Sequence, residues 1–290
     1  MTVEHAVRLI EGPCLFLSDL HLNGGPRDQA PLTLLRRAAS GALGVELKHI
    51  FLVGDLFDFH LGYPSAPYPH LSAAYELLNE LADRGLQLWV FTGNHDPDPC
   101  PHLARHPRIE LLTGPSLFEL SREELPPLRL LLEHGDLCEE AWLKRALCRL
   151  VRARWLCGLA RLLPPALALA LAPRLPERLN QLRSPQATRP AAALEHASRR
   201  QVARSLSARL SSLEPSEPRP ELWIMGHFHE AKLTRLRPER DELRAQVELL
   251  ILGDWVRLNT CALLRGAELS LYQFDLSREV ELELLLSHSL

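Results

Sequence analysis

Five short motifs of metal-binding side chains follow one another along the chain. They are Asp19-Leu20-His21, Gly54-Asp55-Leu56-Phe57-Asp58, Gly93-Asn94-His95-Asp96, His134-Gly135-Asp136 and Gly226-His227-Phe228-His229. Each motif offers a carboxylate, an amide oxygen or an imidazole, and this mixture suits Mn, Fe, Zn or Co better than Mg. Together the motifs predict a site for two metal ions, which can activate a water molecule for hydrolysis.

Four of the motifs follow short apolar runs that predict buried strands. These runs cover residues 15–17, 50–53, 88–91 and 222–225, and residues 128–132 predict a further strand before His134. Helical patterning at 31–39 and 71–84 alternates with the first three strands, and strands are predicted again at 231–237, 246–252, 255–258 and 269–274. This order predicts a layered α/β fold, and ligands at the carboxyl ends of its strands would converge on one crevice.

Residues 139–214 differ from the rest of the chain in charge and composition. They contain 14 Lys or Arg and 5 Glu, a net charge of +9, whereas the whole chain carries −3. The segment is rich in Leu, Ala and Arg with helical spacing, so we predict a helical cap inserted into a core of residues 1–138 and 215–290. It leaves the core after His134 and returns before His227, which places it over the metal site. Its basic face is either a solvated helix surface or a binding surface for an anionic, acylated substrate.

The remaining composition favours a cytoplasmic protein. The six cysteines show no Cys-x-x-Cys spacing and are read as reduced. We find no secretory signal, and no apolar stretch reaches the roughly 18 residues that a membrane span needs. The Leu-rich run 159–171 is a candidate for peripheral contact with the inner membrane. The basic segment has only Trp142 and Trp155 as aromatic residues, so nucleic-acid binding is not expected.

The order of the motifs resembles that of the calcineurin-like metallophosphoesterases. Their pattern is Asp-x-His, Gly-Asp-x-x-Asp, Gly-Asn-His-Asp, His-Gly-Asp and Gly-His-x-His, and all five blocks are present here. The resemblance implies a layered αββα sandwich with two divalent ions, Mn²⁺ being the first choice. One ion would be held by Asp19, His21, Asp55 and His229. The other would be held by Asp55, Asn94, His134 and His227, so that Asp55 bridges the pair.

Other motif residues receive supporting roles. By the same resemblance, His95 would donate a proton to the leaving oxygen. Asp58, Asp96 and Asp136 are expected to hold loops or to orient a ligand imidazole rather than to bind metal. We read the histidines outside the motifs as surface or packed residues; they are His5, His49, His60, His70, His102, His106, His196 and His288.

Within this family, the chain most resembles the UDP-2,3-diacylglucosamine diphosphatases of lipid A biosynthesis. Those enzymes also carry a helical insertion after His-Gly-Asp and a Leu-Gly-x-Trp element, here residues 252–255. The chain departs from them at His95, where that branch usually has Arg, and at Glu230-Ala231, where it usually has Arg-Pro.

This second resemblance implies a substrate and its contacts. The reaction would split UDP-2,3-diacylglucosamine into UMP and 2,3-diacylglucosamine 1-phosphate (lipid X). Its substrate contacts would be Asn94, Arg149, Arg152 and Arg154. Two alternatives stay open, namely a general metallophosphodiesterase or phosphatase for another nucleotide or phosphorylated substrate, and a non-catalytic scaffold. The intact ligand set disfavours the scaffold.

Overall fold

The structure is a computed structural model that describes residues 4–63, 68–98, 101–139, 141–165, 167, 191–211, 213, 219–237, 246–277 and 282–290. The strands of these residues are β1 (Glu4–Glu11), β2 (Cys14–Leu17), β3 (His49–Val53), β4 (Gln87–Phe91), β5 (Ile109–Leu112), β6 (Ser116–Arg122), β7 (Leu125–Leu132), β8 (Leu222–Met225), β9 (Ala231–Leu236), β10 (Val247–Leu252), β11 (Thr260–Arg265), β12 (Glu268–Phe274) and β13 (Leu282–Ser289). The helices are α1 (Gln29–Ala39), α2 (Ser72–Asp83), α3 (Trp142–Val151), α4 (Arg154–Ala160) and α5 (Ala191–Leu210).

The strands form two sheets that pack face to face. One has the order β1-β6-β7-β8-β10-β9 and the other the order β13-β12-β11-β2-β3-β4-β5. Strands β2 to β5 are parallel, and parallel neighbours need crossover connections, which α1 and α2 supply here. A buried apolar cluster that includes Phe16, Phe51 and Phe118 lies between the sheets.

Helices cover the outer face of each sheet. Residues of α1 and α2 pack against the seven-stranded sheet in one buried cluster. Val202, Leu206 and Leu210 of α5 pack against Trp223 and Met225 of the six-stranded sheet in another. The predicted αββα layering is therefore confirmed. No helix within the described ranges has the length and apolar character needed to cross a membrane.

The second half of the predicted insertion belongs to the core layers. Besides its apolar contacts, α5 is anchored by a buried ion pair in which Arg209 Nε and Nη2 donate to the Glu133 carboxylate at 3.1 and 2.8 Å. The extent of the predicted cap, residues 139–214, stays a prediction, since most of 166–190 lies outside the described residues. Among the described residues the cap consists of 141–165, which contains α3 and α4, and we use the name "cap" for this range.

One predicted strand is a turn. Residues 255–258 were expected to be extended, but Asp254 Oδ1 accepts hydrogen bonds from the backbone N–H groups of Val256, Arg257 and Leu258 at 3.0, 2.6 and 3.1 Å. These bonds curl the chain, and the next strand begins only at Thr260. The sequence pattern also gave no signal for the strands β1, β5, β6, β11 and β13.

Candidate metal centre

The predicted ligands lie on loops at the carboxyl ends of neighbouring strands. Asp19 and His21 follow β2, Asp55 follows β3, and Asn94 follows β4 in the parallel part of the sheet. The first two loops run side by side, because the backbone N–H of Asp19 donates to Gly54 O at 3.1 Å and that of His21 to Asp55 O at 3.0 Å. The loops after β7 and β8 bring the remaining histidines to the same place.

The backbone is left-handed at five of the predicted ligands. Positive φ values occur at Asp19 (54°), His21 (47°), Asp55 (48°), His227 (67°) and His229 (53°). Only two other non-glycine residues in the described ranges, Glu124 and Asn259, share this conformation. Each such residue costs roughly 1–2 kcal/mol, and strain of this kind concentrates where a side chain must point in a fixed direction.

Two motif glycines allow the loops to approach the carboxylates closely. A Cβ atom at Gly93 would collide with the side chain of Asp55, and one at Gly226 would collide with that of Asp19. Any larger residue would push these carboxylates away. The glycines of the third and fifth motifs are therefore needed for space.

A first cluster of ligand atoms is formed by Asp19, His21 and His229. Asp19 Oδ1 lies 3.4 Å from His229 Nε2 and 3.9 Å from His21 Nε2. Asp19 Oδ1 and His21 Nε2 are buried without a hydrogen-bond partner. Buried polar atoms are nearly always paired, so these unpaired atoms fit a metal ion at this position.

A second cluster is formed by Asp55, His134 and His227. Asp55 Oδ2 lies 3.3 Å from His134 Nε2 and 3.9 Å from His21 Nε2, which places it between the two clusters. Asn94 Oδ1 lies 3.3 Å from His134 Nε2. The structure thus brings all seven predicted ligands together, in the grouping expected for two ions that share one carboxylate.

The charges of the centre suit divalent cations. Burial favours the neutral form of Asp55, but the coulombic field and hydrogen bond of His134 prevail and hold the pKa of this carboxyl well below its usual value. Burial likewise opposes a charge on His134, but Asp55 outweighs it and raises the pKa of the imidazole to about 10. Metal binding requires neutral imidazoles, so it would displace protons from this site.

Three ligand imidazoles have a polar neighbour at Nδ1 and present Nε2 to the interior of the site. The Nδ1 contacts are His21 to Asp58 Oδ1 at 3.4 Å, His134 to Val53 O at 3.0 Å and His229 to Asp254 Oδ2 at 3.0 Å. Partners of this kind fix the ring orientation of ligand histidines. Asp58 lies near His21 Nδ1, and its orienting role stays a prediction.

Asp254 and Glu139 are acidic residues of the site that the sequence did not reveal. Burial opposes the charge of Asp254, but the hydrogen bond from His229 and bonds from the backbone hold its pKa below the usual value. Glu139 Oε1 lies 3.2 Å from His227 Nε2 and 2.6 Å from Lys144 Nζ. These two bonds outweigh burial and lower the pKa of Glu139 to about 2. The signal for Asp254 was its place within the Leu-Gly-x-Trp element.

Asp96 holds two ligand loops together. Its carboxylate accepts hydrogen bonds from the backbone N–H groups of Leu56 at 2.8 Å and Gly93 at 2.6 Å. Burial and the charge of Asp55 raise the pKa of Asp96 to about 7. These bonds are consistent with the loop-holding role of Asp96, which stays a prediction.

His95 lies at the edge of the centre with one ring nitrogen free for chemistry. Its Nδ1 donates to Asp58 O at 2.8 Å, and its backbone N–H donates to Asp55 Oδ1 at 2.9 Å. Together with His21 and Asp55 it forms a third group of ligand atoms. The side chain is 31% exposed, so Nε2 can reach a bound substrate.

His60, which lies outside the motifs, is buried, and its Nε2 lies 3.0 Å from the Tyr75 hydroxyl oxygen. Burial lowers the pKa of His60 to about 3.

Arg152, predicted as a substrate contact, is directed into the protein. It donates to both oxygens of Asp136 at 2.7 and 2.9 Å and to the backbone oxygen of Thr92 at 2.8 Å. Asp136 therefore joins the cap to the core. Arg149 is exposed on α3. Arg154 begins α4, and its side chain lies outside the described residues.

We expect Arg152→Ala to destabilise the protein more than it weakens substrate binding. Breaking one side of a buried ion pair costs about 3–5 kcal/mol, because Asp136 would stay buried without its partner. Thermal unfolding compared with the KM for a small phosphodiester measures the two effects. Arg108→Ala, which changes an exposed Arg outside the cap, is the control. A raised KM at unchanged melting temperature would restore the predicted substrate role.

The family model of the calcineurin-like phosphoesterases matches residues 12–231. The chain belongs to the calcineurin-like phosphoesterases. It is 28% identical over 283 residues to the UDP-2,3-diacylglucosamine hydrolase of Porphyromonas gingivalis, covering 90% of this chain and 97% of that protein. The UDP-2,3-diacylglucosamine hydrolase of Haemophilus influenzae is 25% identical over 256 residues, which cover 87% of this chain and 94% of that protein. That from Aeromonas salmonicida is 32% identical over 161 residues, 54% of this chain and only 59% of its own length.

Similar solved structures include a dimetal phosphatase from Danio rerio. It is 14% identical with a TM-score of 0.40, covering 90% of this chain and 95% of that one. The family predicted from the five motifs is thus confirmed by the family model, and the curated relatives carry the name of the predicted branch.

Proposed function

We propose that this phosphoesterase hydrolyses the pyrophosphate bond of UDP-2,3-diacylglucosamine to UMP and 2,3-diacylglucosamine 1-phosphate. The relatives above support the substrate by name, two of them over nearly their whole length. The observation that carries the proposal is the apolar surface of the cap and of Leu167 just beyond it. Eight large hydrophobic side chains are exposed there, namely Trp142, Leu143, Leu150, Trp155, Leu159, Leu162, Leu163 and Leu167.

The end of this apolar surface is bonded to residues that follow the second and third motifs. Tyr63 donates its hydroxyl to the carbonyl oxygens of Ala160 and Leu163 at 3.1 and 2.9 Å. Arg161 pairs with Asp98, which follows the third motif. The end of α4 is therefore fixed to loops that follow β3 and β4. A substrate whose acyl chain lies on the cap could then extend its phosphates to the metal ligands on these loops. A monomeric protein rarely exposes a contiguous apolar patch without a binding role.

The residues of the centre suit cleavage of an anhydride. Two divalent ions, of which Mn²⁺ is the first choice and Fe, Zn or Co the alternatives, supply an activated water and charge stabilisation. Two ligand carboxylates leave a net positive centre for an anionic substrate. Asn94 extends its amide beside His134. His95 is placed to give a proton from Nε2 to the departing phosphate oxygen.

The same apolar surface supports peripheral contact with a membrane. Trp and Leu side chains beside Lys144, Arg145 and Arg149 combine apolar and basic character, as interfacial helices do. A substrate with two acyl chains resides in a bilayer, so contact with its surface would deliver the substrate to the site. Arg149 remains the proposed contact for a substrate phosphate.

The proposal is tested by the products formed from a panel of UDP-sugars. We expect phosphorus NMR, with Mn²⁺ added, to show UMP and a sugar 1-phosphate from the diacylated substrate. UDP-N-acetylglucosamine, which lacks the long chains, should turn over at least tenfold more slowly at equal concentration, because each buried CH₂ contributes about 0.8 kcal/mol. Equal rates on both would favour the second candidate, a general phosphodiesterase whose His95 acts on many leaving groups.

Variants of the cap separate lipid binding from packing. Leu159→Ser with Leu162→Ser should raise the KM for the acylated substrate and leave hydrolysis of bis-p-nitrophenyl phosphate unchanged. The matched control is Leu9→Ser on the edge strand β1, since Leu9 is 77% exposed and Leu162 79%. Parallel losses on both substrates would contradict an acyl-binding role. Leu169 and Leu171, of the same Leu-rich run, lie outside the described residues.

A further inference from the structure

The fourth ligand histidine is held in the opposite way to the other three. His21, His134 and His229 are contacted at Nδ1 and turn Nε2 inward. His227 is contacted at Nε2, where Glu139 Oε1 lies at 3.2 Å. The nitrogen left to face Asp55 and His134 is therefore Nδ1, because Nε2 donates its proton to Glu139.

Glu139 is in turn held by the first turn of α3. Lys144 Nζ lies 2.6 Å from Glu139 Oε1, and Arg145 donates to the backbone oxygen of Glu139. The Glu139 side chain is only 16% exposed and Lys144 is 49% exposed. The cap thus reaches a metal ligand through one carboxylate, whereas Asp58, Val53 and Asp254, which hold the other imidazoles, belong to the core.

We propose that Glu139 is a positioning residue that presents Nδ1 of His227 to the second metal ion and makes the affinity for that ion depend on α3. The proposal rests on the two-metal function above. The ion held by Asp55, Asn94, His134 and His227 would bind less tightly whenever α3 releases Glu139. The other ion, which would be held by Asp19, His21, Asp55 and His229, has no cap residue among the described neighbours of its two histidines and would keep its affinity.

The test is a titration of metal-free protein with Mn²⁺, with bound metal counted by mass spectrometry after equilibrium dialysis. Loss of an orienting partner lowers metal affinity roughly 10–100-fold, so Glu139→Ala should weaken the second ion by that factor and spare the first. Glu139→Gln retains an oxygen that accepts from Nε2–H and should recover part of the loss. Lys144→Met should weaken the same ion to a smaller extent.

The controls come from a similar pair remote from the site. Lys48 Nζ lies 2.8 Å from Glu46 Oε1 with both side chains exposed, so Glu46→Ala and Lys48→Met remove a Glu–Lys contact without touching a ligand loop. Two ions bound by Glu139→Ala with unchanged affinity would overturn the proposal. Equally weakened binding of both ions, together with a lower melting temperature of the metal-free Glu139→Ala protein in chelator, would also overturn the proposal. That result would mean that Glu139 serves packing. Should Glu139→Ala fail to fold, the near-isosteric Gln variant decides.

This titration needs no substrate, so it separates the two proposals. If the wild-type protein binds two ions but does not cleave UDP-2,3-diacylglucosamine, the proposed substrate is wrong and the role of Glu139 is unaffected. If a Glu139→Ala protein binds both ions with wild-type affinity and cleaves that substrate rapidly, the proposed substrate stands and the role of Glu139 is wrong.

Discussion

Asp55→Ala should lower turnover by at least about 10³-fold and leave the purified protein without its pair of metal ions. The carboxylate lies between the two ligand clusters, with Oδ2 at 3.3 Å from His134 Nε2 and 3.9 Å from His21 Nε2. The metal ions contribute several kcal/mol to stabilising the transition state, and each 1.4 kcal/mol is about a factor of ten in rate. Steady-state hydrolysis of bis-p-nitrophenyl phosphate and metal content by mass spectrometry measure the two effects.

The control for Asp55→Ala is Asp83→Ala. Asp83 is a 75% exposed carboxylate at the end of α2 whose contact is with His106, so its removal should change neither rate nor metal content. A purified Asp55→Ala protein that keeps two ions and full activity would refute the bridging assignment.

His95→Ala should slow turnover by about 10²–10⁴-fold, the usual contribution of a general acid. Its Nδ1 donates to Asp58 O, which leaves Nε2 for the proton transfer, and neither predicted metal site counts His95 among its ligands. Metal content should therefore stay at the wild-type value. The loss should shrink for substrates whose leaving group has a low pKa, since such groups depart without a proton.

A series of aryl phosphodiesters with graded leaving groups checks this role. Rates of wild type and His95→Ala plotted against leaving-group pKa should diverge toward the poor leaving groups. Parallel lines would assign His95 to positioning of a phosphate. His60→Ala is no suitable control because that residue is buried, whereas His106→Ala changes a partly buried histidine outside the motifs.

The sequence was informative where one strand delivers one ligand. Apolar runs of four residues, each followed within two residues by Gly, marked β3, β4 and β8. The parallel pairing of β3 with β4 brings Asp55 and Asn94 to one edge. These signals are local, because each lies within ten residues. The convergence of the motifs followed from the rule that ligands gather at the carboxyl ends of parallel strands.

The sequence was silent where a role depends on contacts between distant residues. Glu139 and Asp254 acquire their roles only because folding places them beside His227 and His229. Arg152 and Arg149 look alike in a basic helix, yet one is buried against Asp136 and the other is exposed. The helical pattern of α5 likewise gave no sign that it packs on a sheet, since core and cap helices share the same period.

The left-handed backbone at five metal ligands limits how stable this protein can become while it remains active. At roughly 1–2 kcal/mol per residue, the total approaches the net stability of about 5–15 kcal/mol that native proteins possess. Glycine at any of these positions would relieve the strain of the left-handed backbone, but it would also remove the side chain that binds metal. Selection for heat resistance and selection for catalysis therefore oppose each other at Asp19, His21, Asp55, His227 and His229. A thermostable form would have to gain its stability outside these loops.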